Sequence, residues 1–116
     1  MALYLTHFSY TPESWAGLMH EPRDRRNDLR PLFEAAGARL IDLYYTFGEK
    51  SGFALSEGSN VAAAAISIAV SASGAVTNVE TTVMMTVEEM LEALAKAQEV
   101  SPAYHVPSEH PAHAAH

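Results

Sequence analysis

The residues of this chain with chemistry to offer are polar side chains set inside strand-like stretches. Strand alternation in Leu40–Phe47 puts Asp42, Tyr44 and Thr46 on one face, and in Val76–Met85 it groups Asn78, Glu80, Thr82 and Met84. Two carboxylates in a partly dry, aromatic-lined cavity would titrate nearer neutrality and serve as acid and base. The competing reading leaves Asp42 and Glu80 on a solvated face or at a cavity rim, since charges are usually exposed. His7, Tyr10 and Trp15, near the N-terminus, can join Tyr44 around a pocket for an aromatic or apolar molecule. Against that, a lone tryptophan on an amphipathic helix is usually core, and a strand histidine usually a satisfied hydrogen-bonder. The candidate ligand-binding set is therefore His7, Tyr10, Trp15, Asp42, Tyr44, Asn78 and Glu80, with no catalytic residue assigned.

Other reactive groupings carry less. His105, His110, His113 and His116 end the chain in a spacing that can chelate a divalent ion weakly, but in a proline- and alanine-rich segment with no preorganised geometry. No metal site and no cofactor are expected. Arg23–Arg30 interleaves arginines with aspartates and reads as a solvated helix face, not a phosphate site. No phosphate loop, nucleophile elbow, metalloprotease helix or dinucleotide fingerprint is present.

The elements that must hold these residues follow from pattern. Ala2–Ser9 is rich in strand formers. Thr11-Pro12-Glu13 opens a helix, with Thr11 as cap and Pro12 where a missing N–H costs nothing, and Trp15, Leu18 and Met19 turned inward. Pro22 interrupts it. The pattern resumes to Gly37 with Leu29, Leu32, Phe33 and Ala36 on one side, and Asp28 as a fresh cap would place Pro31 in a first turn. Leu40–Phe47 and Gly52–Glu57 form a hairpin about Gly48–Ser51, in which Ile41, Leu43, Tyr45, Phe47, Phe53 and Leu55 face the helices. Val61–Ser73, alanine-rich and without charge, is a helix capped from Gly58-Ser59-Asn60 and stopped by Gly74. After the Val76–Met85 strand, Thr86-Val87-Glu88-Glu89 is a capping box for a last helix with Met90, Leu91, Leu94 and Ala95 on its apolar side. Residues 1–100 are expected to form one domain and 101–116 a flexible tail.

Composition bounds the function. The 116 residues are 48% hydrophobic and 18% charged, as in an ordinary globular domain. Cysteine is absent, which removes disulfides, thiolate nucleophiles and cysteine metal sites together. A formal charge of −7 opposes nucleic-acid binding. No signal peptide is visible, and no apolar run approaches the roughly 20 residues of a membrane-spanning helix. A soluble, cytoplasmic protein without nucleic-acid or membrane partners is the default.

The order strand–helix–strand–strand–helix–strand implies a ferredoxin-like α+β fold. Right-handed crossovers put both helices on one face of a four-stranded antiparallel sheet, with an extra C-terminal helix beyond. Apolar residues of both parities in the first two strands leave the second face unsuited to water. Pairing of two sheets in a homodimer, or a higher homo-oligomer, as in a dimeric α+β barrel, would bury it.

These residues resemble a family. Tyr-Thr-Pro-Glu at Tyr10, Glu-Pro-Arg at Pro22, Gly-Ala-Arg-Leu before the second strand, Tyr-Tyr-Thr-Phe-Gly-Glu around Gly48 and Gly-x-Val-Thr before the last strand are similar to the GYD domain, as is Thr-x-Glu-Glu opening the last helix. The resemblance runs from about Met1 to Lys96 and implies a ferredoxin-like, dimeric barrel fold without naming an activity. Lys50-Ser51 stands where the family's tyrosine and aspartate are expected. If that pair serves a site, the activity is lost here. If it shapes the corner, Ser51-Gly52 can substitute, serine by bonding turn backbone and glycine by tolerating positive φ.

Three functions remain open: a small-molecule binding or regulatory module with a pocket between sheet and helices or at a dimer interface, a small cofactor-independent oxygenase or isomerase using His7, Asp42 or Glu80, and a structural oligomer subunit.

Overall fold

A computed structural model describes residues 1–108, in two compact units, Met1–Met84 and one that begins at Met85. The first unit contains β1 (Ala2–Tyr10), α1 (Pro12–His20), α2 (Arg26–Ala35), β2 (Arg39–Tyr45), β3 (Gly52–Gly58), α3 (Asn60–Ala72) and β4 (Val76–Met84). Its sheet is antiparallel throughout with strand order β2-β3-β1-β4, so the architecture is α+β with ferredoxin-like order, as the sequence implies. His110, His113 and His116 lie outside the described residues.

The core lies between the sheet and the helices. Phe33 of α2, Leu40 of β2, Ala54 of β3 and Ile66 of α3 are buried together, with Leu29, Leu32, Ala36 and Leu43 packed around them. Tyr4 and Phe8 of β1 are buried on the same face. The Tyr4 hydroxyl donates to Asn60 Oδ1 at the start of α3. Burial of such side chains contributes about 1.5–3 kcal/mol each.

Both edge strands carry a β-bulge, and the bulges decide which side chains reach this core. In β2 the register shifts between Leu40 and Asp42, so Leu40 and Leu43 both turn to the helices while Ile41 is exposed. In β4 it shifts opposite His7–Ser9, where Asn78 takes φ 52°. Asparagine tolerates that left-handed geometry, and the extra residue sends Val76 and Val79 to the same face. Simple alternation placed them on opposite faces.

Several local expectations are corrected. Phe53 and Leu55 lie on the face away from the helices; Ala54 and Ser56 of β3 point inward and are buried. Phe47 is fully exposed because β2 ends at Tyr45 and the chain already turns there, with Thr46 N–H donating to Ser51 O at 2.9 Å. Thr11 caps α1 as expected, accepting from Ser14 N, yet no residue of α1 is fully buried and Met19 points to water. Asp28 does not cap α2: the helix starts at Arg26, Asp28 binds Arg23 and Arg25, and Pro31 sits inside the helix. Ser67 of α3 faces the sheet and bonds Thr81 Oγ1 at 2.9 Å.

The second unit holds α4 (Val87–Val100), followed by a short 3₁₀ turn at Ser101–Ala103. The expected capping box is formed: Glu89 N–H donates to Thr86 Oγ1 at 3.1 Å, and Thr86 N–H to Glu89 Oε1 at 2.9 Å. Met90, Leu91 and Leu94 are exposed. Among the described residues no helix is long and apolar enough to cross a membrane.

Candidate functional site

One concave feature of the fold is a cavity of ≈ 80 Å³ between the sheet and helices α2 and α3. β1 supplies Thr6, Phe8 and Tyr10, successive residues of its inward face, and Ala54 of β3 forms the floor beside them. From α2 come Arg25, at the helix cap, with Leu29 and Phe33. These recur every four residues and so lie on one helix face. Ile66 and Val70 of α3 close the roof, again four apart, and the bulge of β4 brings Val76 and Val79 to the side. The lining is mostly hydrocarbon and aromatic. Thr6 satisfies its hydroxyl with Thr81 Oγ1 at 3.1 Å, and Thr81 in turn meets Ser67, so these inward hydroxyls are paired.

An aromatic cluster stands beside Tyr10. Its ring packs at 5.1 Å from Phe8, edge-on at 5.0 Å from Trp15 of α1, and 6.1 Å from Tyr45 of β2. The hydroxyls of Tyr10 and Tyr45 share a hydrogen bond at 3.2 Å. Burial, and then the bond with Tyr10, raise the Tyr45 hydroxyl above the usual phenol range, so it stays protonated.

The seven residues singled out from the sequence are divided among the cavity side, the opposite sheet face and the two edge-strand bulges. Tyr10 lines the cavity, and Trp15 packs against Tyr10. His7, Tyr44 and Glu80 occupy the opposite face of the sheet: Tyr44 stacks on Phe53 at 5.4 Å, Phe53 lies 5.6 Å from His7, and His7 pairs across strands with Glu80. These side chains form a row across all four strands. Asp42 sits at the β2 bulge, where its Oδ1 accepts from Leu43 N–H at 2.8 Å and Arg26 Nη1 at 3.2 Å. Asn78 forms the β4 bulge, and its carbonyl accepts from Lys50 Nζ at 3.2 Å.

This arrangement corrects the acid–base expectation. The Leu43 N–H and then the Arg26 guanidinium hold the Asp42 carboxyl below the usual carboxylate range, the reverse of a shift toward neutrality. The strand order also puts Asp42 and Glu80 on opposite edges, about 14 Å apart at three strand spacings. Within one chain they cannot flank a small substrate.

Sequence reasoning missed Arg25 and the aliphatic walls. Arg25 was grouped with a solvated arginine face, yet its side chain is 23% exposed and lines the cavity. The signal was its spacing, four residues before Leu29 and eight before Phe33, on the core side of α2. Among the described residues no group of three or more histidines and carboxylates is placed to hold a metal ion.

Comparison with known protein families matches residues 4–94, from β1 into α4, to the GYD domain. The chain belongs to the GYD domain family. Comparison with curated proteins and with solved structures finds no match. At the Gly48–Ser51 corner, Ser51 ties the hairpin to β1: its N–H donates to Phe8 O and its Oγ accepts from Tyr10 N–H, both at 2.9 Å. Gly52 is required by space, not by positive φ. A Cβ there would lie 2.4 Å from Tyr44 O and 3.0 Å from the Phe8 ring. In this GYD domain the corner therefore braces Phe8 and Tyr10, two walls of the cavity.

Proposed function

We propose that this GYD domain is a homodimeric small-molecule binding module whose ligand occupies the cavity between the sheet and α2–α3. The observation that carries this reading is the cavity itself, a largely apolar space with few converging polar groups, the usual make-up of a small-ligand site. The dimer rests on the other sheet face, where Leu3, Leu5, His7, Tyr44, Phe53 and Leu55 are incompletely buried. Joining two such faces removes apolar surface from water in a sheet-on-sheet layer. An oxygenase or isomerase is less well supported, because Asp42 is ion-paired and remote from Glu80.

Thermal-shift screening of small apolar compounds tests the reading. Ligands that bind the folded state raise the melting temperature by mass action. Val70→Phe, which fills the cavity from α3, should abolish the response. A screen with no hit, or equal responses from wild type and Val70→Phe, would sink the proposal.

A further inference from the structure

The cavity wall contains one cation, Arg25, and no carboxylate. Arg25 Nη1 bonds Asp28 Oδ2 at 2.7 Å, but the same oxygen accepts from Arg23 Nε at 3.1 Å. One carboxylate shared by two guanidinium groups leaves a positive charge in excess. Arg26, by contrast, is flanked by both Asp24 and Asp42. A guanidinium has five N–H donors, and Asp28 engages only one nitrogen of Arg25. The Tyr10 hydroxyl lies beside the same group, and Asp28, already shared with Arg23, is the carboxylate with which a ligand anion shares it. Beside Arg25 on the same helix face stand Leu29 and Phe33, and Ile66 and Val70 of α3 complete the apolar walls.

Resting on the binding function proposed above, we infer that the ligand is a short-chain apolar monocarboxylate whose carboxylate meets Arg25. Guanidinium recognises carboxylate through charge-assisted, often paired hydrogen bonds, strongest where water is scarce. The space of ≈ 80 Å³ is well below a cavity that holds benzene, so the hydrocarbon part is limited to roughly two to four carbons, with the carboxylate at the Arg25 wall. A polar or dianionic ligand would strand charge against the aliphatic walls.

Isothermal titration of isovalerate against its neutral isostere isovaleramide tests this on the full chain. Wild type should bind the acid about tenfold or more tightly than the amide, the scale of one charge-assisted contact. Arg25→Gln should erase the preference while still binding the amide, and Arg25→Lys should restore part of it. Val70→Phe should bind neither. Equal binding of acid and amide by wild type, or an undiminished preference in Arg25→Gln, overturns the carboxylate assignment but leaves the cavity reading intact. Failure of wild type to bind either overturns the assignment, and an empty compound screen is what would remove the cavity reading as well. Should Arg25→Gln fail to fold, the wild-type comparison of acid with amide decides alone.

Discussion

Phe53→Glu should dissociate the proposed homodimer. Phe53 lies on β3, an inner strand, between Tyr44 and His7 on the face away from the helices. It is already half buried, so covering the rest contributes about 1 kcal/mol per copy, or about 2 kcal/mol in a two-fold interface that uses it twice. A carboxylate in the middle of that interface adds several kcal/mol of uncompensated desolvation per copy. A total penalty above about 4 kcal/mol corresponds to a dissociation constant raised at least a thousandfold. The α2–α3 side of the sheet is untouched, so the variant should remain folded by circular dichroism. Sedimentation equilibrium at micromolar concentration should return twice the 12.5 kDa chain mass for wild type and the single mass for the variant. A monomeric wild type, or a variant that stays dimeric, would falsify the sheet-face dimer.

Gly52→Ala should destabilise the fold by about 3 kcal/mol, because its Cβ meets the Tyr44 carbonyl backbone instead of a yielding side chain. Thermal melts should show a fall of roughly 10 °C or more, whereas Gly48→Ala, with nothing within 4 Å of its Cβ, should change little. The Asp42 carboxyl is held below its ordinary range, first by Leu43 N–H and then by Arg26. A depressed folded-state pKa gives stability that is full above the unfolded value of about 3.9 and is lost as pH falls through the folded one. Melting curves of wild type and Asp42→Asn should therefore differ at neutral pH and converge at the most acidic pH; a constant gap across the acid range would refute the assignment.

Local chemistry that is self-contained was legible from residue order. The Thr11 and Thr86 helix starts, the α3 cap at Ser59, the Gly48–Ser51 corner and the ferredoxin-like element order depend on neighbours in sequence, and all are present in the structure. The family relationship was legible for the same reason, being carried by short motifs at those turns and caps. The candidate site was legible only in fragments. Tyr10 reached the cavity, but Phe53 and Leu55 took the opposite face, and Arg25 was concealed among exposed arginines.

The bulges account for most of that loss. A period-two pattern assigns faces only while each residue opposes one partner, and one inserted residue reverses every assignment beyond it. At Ile41–Asp42 and Asn78 the insertion pays no visible toll in composition, yet it turns Leu40 and Leu43 together into the core and Val76 and Val79 together into the cavity. The amino-acid order by itself determined the elements, the caps of α1, α3 and α4, and their succession, because hydrogen bonds near in sequence set those. Only the tertiary structure decided which side of the sheet each polar residue serves. Register between distant strands depends on partners that no local pattern names.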